Sequence, residues 1–298
     1  METYAWLVVN GFIHSEKFME IFACLVQAAA RRGCRLEIKT NTQLLPVLAV
    51  TGSRDYADIP GRRPEFVLFW DKDVRLARLL EKRGLRLFNC AESIEICDDK
   101  ARTCLELSGS GIRMPKTVIA PMTFQPDGYP QLDFLEAVEK QLGYPMVVKE
   151  CYGSFGQQVH LAAGREELKM YLADIKNRPC LFQEFAAFSR GRDIRIQMVG
   201  NQAAAAMQRR NAHDFRANIT NGGSMEPYEP DEKQLAMAAK AMQVLGLDFA
   251  GVDILFGEDG EPLLCEVNSN AHFVNIRNCT GVDVADAITG YCLKEMRR

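Results

Sequence analysis

No stretch of this 298-residue chain approaches the roughly 18 uninterrupted apolar residues of a membrane span, although 47% of its residues are hydrophobic. The opening METYAWLVVNGFIHSEKF has no basic region ahead of its short apolar run, so no secretory leader is expected. The ten cysteines (Cys24, Cys34, Cys90, Cys97, Cys104, Cys151, Cys180, Cys265, Cys279 and Cys292) form no CxxC pair. That argues against a disulfide framework or zinc site and for reduced thiols in a cytoplasmic protein. A net charge of −3 supplies no basic footprint for nucleic acid. The four histidines, His14, His160, His213 and His272, are not spaced as a metal cluster, and there is no internal repeat or low-complexity segment.

What remains is a soluble, globular chain long enough for two or three cores. In its first third, YAWLVVN is an apolar, β-prone run. SEKFMEIFACLVQAAARRG has helical spacing with Ser15 as cap and Gly33 as stop, and CRLEIKT alternates with period two. PEFVLFW, DVRLARLLEKRG and LRLFNC repeat the rhythm, which predicts a small parallel sheet flanked by helices, with TGSRDYADIPGRRP as an exposed loop. AESIEICDDKARTCLEL then predicts one helix ended by SGSG, followed by a strand at RMPKTVIA and a helix at LDFLEAVEKQLG. SGSGIRM is no dinucleotide fingerprint, because Met114 takes the third glycine position and no strand precedes it. Beyond it, ELKMYLADI and DEKQLAMAAKAMQVLG predict helices and PCLFQEFA a strand. Hairpins are predicted at DIRIQMVGNQAAAAMQRR, turning at Gly200 and Asn201, and at FAGVDILFGEDGEPLLCEVNSN, with NAHDFRANITNGGSMEPYEP as a polar loop between them. The expected organisation is an α/β part over 1–95, a middle part over 96–186 and a carboxy-terminal part over 187–298, the last two with antiparallel sheet.

The last hairpin carries the first chemical signal. If Asp259 and Gly260 form a two-residue turn, counting back along both strands sets Asp253 opposite Glu266, with Asn268 on the same face. Like charges facing each other destabilise a sheet unless something positive lies between them, and hard oxygen donors of this kind suit Mg²⁺. A phosphate cradle is then expected elsewhere. In VVKECYGSFGQQVHL, Lys149 ends an apolar run and is followed by Gly153, Ser154, Phe155 and Gly156, whose backbone can approach phosphate oxygens closely. The lysine precedes the loop and no GKS or GKT occurs, so this is not a P-loop. The kinase HRD and DFG partners are missing as well.

The series DDK, VVKECYGSFGQQV, LFQEFA, GRDIRI, FRANITNGG, GVDIL and CEVNSN resembles, in order and spacing, the ATP-grasp ligases of the RimK type, from about Phe88 to about Ala287. The resemblance implies an ATP-grasp fold with an amino-terminal Rossmann-like domain. It implies that Lys100 and Lys149 contact ATP phosphates, that Gly153 to Gly156 form a flap over the triphosphate, and that the backbone of Glu184 and Phe185 reads the adenine edge. Asp193 would accept from ribose hydroxyls, Arg216 and Asn218 would contact the nucleotide and its phosphates, and Asp253, Glu266 and Asn268 would ligate Mg²⁺ or Mn²⁺. Arg195 and Arg216 would stabilise the transferring phosphoryl group.

The implied reaction is ATP-dependent joining of a carboxylate to an amine through an acyl phosphate, releasing ADP and phosphate, with an amino acid such as glutamate as one partner. Ala to either Asp253 or Glu266 should then abolish ADP release and leave the fold intact. The sequence departs from the ribosomal-protein ligases after the last ligand, where Asn270, Ala271 and His272 replace Ser, Pro and Gly, so the acceptor stays open: small molecule, peptide or carrier protein. Another ATP-grasp ligation and a non-catalytic, ATP-binding regulator also stay open, as does a homo-oligomer.

Overall fold

The computed structural model describes residues 2–45, 61–154, 156–219 and 222–298. Most of the expected loop at TGSRDYADIPGRRP, Phe155 and two residues of FRANITNGG (Thr220 and Asn221) lie outside the described residues. Three sheets organise the rest.

The first sheet is parallel, in the order β2-β1-β3-β4, from β1 (Thr3–Val9), β2 (Cys34–Thr40), β3 (Val67–Trp70) and β4 (Leu87–Phe88). Every residue of β1 from Tyr4 to Val9 is buried, the signature of a parallel strand covered on both faces. Helix α1 (Glu16–Arg31) lays Ile21, Phe22, Leu25, Ala28 and Ala29 on it, and α2 (Val74–Lys82) covers it with Leu76, Ala77, Leu79 and Leu80. Ser15 stands at the α1 N-cap without a side-chain cap bond, whereas Gly33 turns the chain at φ +72°.

The single helix expected at AESIEICDDKARTCLEL is two: α3 (Ala91–Asp98) and α4 (Lys100–Leu107). Asp99 breaks them apart. Its backbone is extended, and its carboxylate accepts from the backbone N–H groups of Ala101 (2.9 Å) and Arg102 (3.2 Å), capping α4. The break makes Lys100 the first residue of α4, where its N–H donates to the Cys151 carbonyl of the glycine hairpin at 3.0 Å.

The middle sheet is antiparallel, β5-β8-β6-β7, from β5 (Thr117–Ile119), β6 (Met146–Glu150), β7 (Val159–Ala162) and β8 (Cys180–Glu184). Helices α5 (Phe134–Leu142) and α6 (Arg165–Ile175) cover one face with Leu135, Val138, Leu168, Leu172 and Ile175. The third sheet runs β11-β10-β9-β12-β13, from β9 (Arg192–Val199), β10 (Gln202–Arg210), β11 (Ser224–Pro227), β12 (Phe249–Phe256) and β13 (Pro262–Asn268), with α7 (Glu232–Val244) across it. The expected polar loop therefore contains a short edge strand, β11, which pairs through Met207–Arg210.

Asp253 does face Glu266, though not by the expected route. The turn is one residue longer than two: the Gly257 N–H donates to the Glu261 carbonyl at 3.0 Å across Glu258, Asp259 and Gly260. A bulge at Cys265 then absorbs one residue of β13, and the two offsets cancel at Asp253.

Two further helices, α8 (Val274–Thr280) and α9 (Val284–Glu295), join the third sheet to the first. Trp70 of β3 stacks on Phe249 of β12 with centroids 5.4 Å apart and meets the edge of Phe273. Arg31, the last residue of α1, and Arg32 just beyond it pair with Asp283 and Asp286 at the start of α9. Asn89, fully buried, ties the two parts together. Its side-chain N–H groups donate to the carbonyls of Phe249 and Ser269 at 2.9 Å each, and its Oδ1 accepts from the N–H groups of Asp248 (2.6 Å) and Phe249 (3.2 Å). Asn89→Ala leaves these backbone groups unpaired in the interior and is expected to cost about 3 kcal/mol, read as a lowered midpoint of denaturant unfolding.

Candidate active site

A cavity of about 580 Å³ opens between the middle and third sheets, and the ends of β1 and β3 close one side of it. Strand β6 alternates, so Val147 and Lys149 both face the cavity. The Lys149 ammonium donates to Gln183 Oε1 on β8 at 2.6 Å and sits 4.0 Å from the sulfur of Cys265, the bulge residue of β13. From the opposite wall, Lys100 Nζ donates to the Gly153 carbonyl at 3.1 Å and lies 3.9 Å from Glu266.

The loop between β6 and β7 needs glycine at two places. Gly153 has φ +138°, and a Cβ there would stand 2.3 Å from the Gln158 side chain. Gly156 has φ +72°, with Asn218 Oδ1 2.9 Å from the same virtual atom. Arg216 holds the loop from the third sheet's side, donating to the carbonyls of Gly156 (2.5 Å) and Val159 (3.2 Å) while Asp214 grips its guanidinium. Ser154 lines the cavity with these residues. At its far end, where β8 leaves the middle sheet, the Glu184 N–H donates to the Lys116 carbonyl at 2.8 Å, and the Phe185 ring meets Phe215 edge-on.

Beneath the cavity lies a buried charge cluster. Asp193 and Arg195 are two apart on β9 and share a face; Arg195 pairs in register with Asp253 of β12, and Asp193 with Arg209 of β10. Arg195 grips Asp253 as a fork, 2.7 and 2.6 Å, and Arg209 grips Asp193 likewise while also reaching Asp253 at 2.9 Å. Burial alone would push both carboxyls up. At Asp253 the two guanidiniums outweigh it and hold the group below the usual carboxylate range; at Asp193, gripped by Arg209 alone, burial wins and the group sits above it.

Arg209 is the site residue that sequence reasoning misses. Counting back from the turn at Gly200 and Asn201 sets it opposite Arg192, on the other face; a bulge at Ala204 shifts the register by one and brings it onto Asp193. The cluster also corrects the expectation for Asp253. Only 4% exposed, it balances two guanidiniums, so its loss cannot leave the fold untouched.

Glu266 and Asn268 are more open. Glu266 faces the cavity with Lys100 as its nearest ion-pair partner, and the buried side-chain nitrogen of Asn268 has no hydrogen-bond partner among the described residues. Among the described residues no three His, Cys, Asp or Glu side chains gather as a metal cluster; the expected donors Asp253, Glu266 and Asn268 offer two carboxylates and an amide oxygen. Hard oxygens with no thiolate or imidazole fit Mg²⁺, and an amide left unpaired at its nitrogen fits one whose oxygen serves an incoming group.

Residues 97–292 match a family model, the RimK-like ATP-grasp domain. The chain belongs to the RimK-like ATP-grasp family. This RimK-like chain is an ATP-dependent ligase that forms carbon–nitrogen amide bonds. It is 32% identical over 280 residues to a probable alpha-L-glutamate ligase of Rhodopirellula baltica, covering 90% of this chain and 66% of that one. It is 33% identical over 225 residues to human N-acetylaspartylglutamate synthase A, covering 75% of this chain and 56% of the relative, so it spans little more than half of that protein. Its fold matches a RimK-domain ATP-grasp protein of Sphaerobacter thermophilus with a TM-score of 0.73 at 20% identity, over 97% of this chain and 99% of the other. No described helix of the RimK-like chain is long and apolar enough to cross a membrane.

Arg209→Leu in this RimK-like site is expected to strand Asp193 and half of the Asp253 pairing, costing about 3–5 kcal/mol in a chemical denaturation series. Stability within 1 kcal/mol of the parent would show that the four charges do not act as a unit.

Proposed function

We propose that the chain joins the carboxylate of one substrate to the amine of another through an acyl phosphate, with glutamate or a similar acidic amino acid as one partner. One observation carries this reading: Lys100, Lys149, Glu266 and Asn268 face a single cavity under a glycine loop that both Lys100 and Arg216 hold by its carbonyls. The loop serves as a lid over the triphosphate of ATP. Lys100 and Lys149 meet its phosphates as point charges, and the backbone at Glu184 and Phe185 meets the adenine edge. Asp193 anchors Arg209 and keeps its remaining lone pairs for the ribose hydroxyls. Glu266 and Asn268, with the outward lone pairs of Asp253, would hold Mg²⁺ or Mn²⁺, which neutralises phosphate charge when bound.

In the first half of the reaction the substrate carboxylate attacks the γ-phosphate, and ADP leaves. This chain's part is positioning and charge: Arg195, fixed on Asp253, and Arg216, fixed on Asp214, face the phosphoryl group as it transfers, and the lid excludes water that would hydrolyse the product. In the second half the amine displaces phosphate. The names of the relatives from Rhodopirellula and human support glutamate, and the parts 1–95, 96–186 and 187–298 are proposed as the amino-terminal domain and the two halves of the grasp. Asn218, beside Gly156, contacts the nucleotide phosphates when the lid is down.

The test is ADP release with mass spectrometry of the product, across N-acetyl-L-aspartate, L-glutamate and other α-amino acids as carboxylates and amines. At least one pair is expected to stimulate ADP release and give an amide. Lys149→Ala and Glu266→Ala are expected to lower that rate by about 100-fold or more with unchanged circular dichroism; undiminished turnover in either variant would remove that residue from the reading. ATP binding with no productive pair would favour a regulatory ATP-binding role.

A further inference from the structure

His272 follows β13 by four residues and stands on the wall of the same cavity as Lys149 and Glu266. Its ring meets the ring of Phe18 on α1 edge-on, with centroids 6.3 Å apart, which sets the ring's orientation. Both ring nitrogens are shielded from solvent; the backbone of Lys17 lies within hydrogen-bonding reach of the ring, which occupies at most one nitrogen and leaves the other without a partner among the described residues. Buried polar atoms are nearly always paired, so a nitrogen with no partner on a cavity wall points to one that arrives with the substrate.

The amide-forming half of the reaction requires a base. An amine that has bonded to an acyl carbon must lose a proton to become an amide nitrogen, and at pH 7 the acceptor of that proton must be neutral or anionic and free. Most carboxylates on the cavity wall are engaged. Asp98, Asp193 and Asp253 are in ion pairs, Glu266 lies 3.9 Å from Lys100, and Asp71 accepts from the Asn10 amide and the Lys72 N–H. Burial raises the Cys97 thiol to about 12 and the Cys265 thiol to about 11. His272 is left with an open nitrogen. Burial, and then the charges of Lys17 on α1 and Arg195 on β9, hold its ring below the usual imidazole range, against the opposing pull of the Lys17 backbone and of Glu20 on α1. The ring is therefore neutral at pH 7, with one nitrogen ready to accept.

We propose that His272 is the general base of the amide-forming step. The inference rests on the acyl-phosphate reading above. The amine enters as its free base, and its nitrogen bonds to the acyl carbon. The bond from that carbon to the phosphate oxygen breaks, the electron pair leaving with phosphate. The proton released from the nitrogen passes to His272 and from there to solvent.

Hydroxylamine separates this role from a structural one, because it is a strong nucleophile of low basicity and traps acyl phosphates as hydroxamates without help from a base. With the carboxylate and amine pair giving the highest ADP release in the panel above, His272→Gln is expected to slow amide formation by about 10²-fold or more, chiefly in kcat. Hydroxamate formation from the same carboxylate should stay within about threefold of the parent, as the first half-reaction does not use this base. The parent's amine-dependent rate should fall as pH drops through the His272 pKa, and that acid limb should vanish in the variant. Amide formation within threefold of the parent, an equal loss of hydroxamate, a raised KM with kcat intact, or the selective loss appearing in Asp71→Asn instead would each overturn the assignment. A parent enzyme that makes no hydroxamate from any carboxylate would overturn the acyl-phosphate reading, and the base with it.

Discussion

Two guanidiniums and two carboxylates meet where β9, β10 and β12 run side by side beneath the cavity, and none can lose its partners without baring a charge in a low-dielectric interior. That constraint fixes the floor of the site. With Arg195 and Asp253 locked by a two-pronged bond and Asp193 locked to Arg209, the face of the third sheet turned to the cavity has a defined arrangement of charge before any ligand arrives. Such preorganisation costs no rearrangement at the moment of reaction. The cluster also explains why one sheet can carry two carboxylates on neighbouring strands, Asp253 and Glu266, without splaying: the first is neutralised from behind, and the second faces Lys100.

The roof is built on a different principle. The glycine loop is held by hydrogen bonds to its carbonyls, from Lys100 to Cys151 and Gly153 and from Arg216 to Gly156. Both donors are residues proposed for phosphate contact. On that proposal their bonds to the loop would be exchanged when phosphate enters, which would couple the lid's position to the contents of the cavity. The helix break at Asp99 belongs to the same device, since it alone makes Lys100 the first residue of a helix butted against the hairpin.

Much of this was legible along the chain because it depends on local rules. Period-two alternation placed Lys149 on a strand, the glycines marked the loop after it, and the spacing of motifs from Lys100 to Asn268 led to the family. The less legible features were register and breaks. Asp253 opposite Glu266 came out of a count that assumed a two-residue turn and no bulge, and both assumptions failed in ways that cancel. In the other hairpin a single bulge at Ala204 had nothing to cancel it, and Arg209 could not be found by counting. A one-residue slip moves a side chain to the opposite face, so a bulge that leaves little trace in composition decides which residues meet.

The sequence by itself pointed to most of the strands and helices and to the family, and supplied the candidates for phosphate, metal and lid contact, because these follow from residue type, periodicity and order. Only the tertiary structure decided which charges neutralise one another, that Asp253 is a buried anchor as well as a candidate ligand, and that His272 stands with an open nitrogen in the same cavity. Those outcomes depend on contacts between residues up to hundreds of positions apart, where bulges, packing and burial act together and no local pattern records the result.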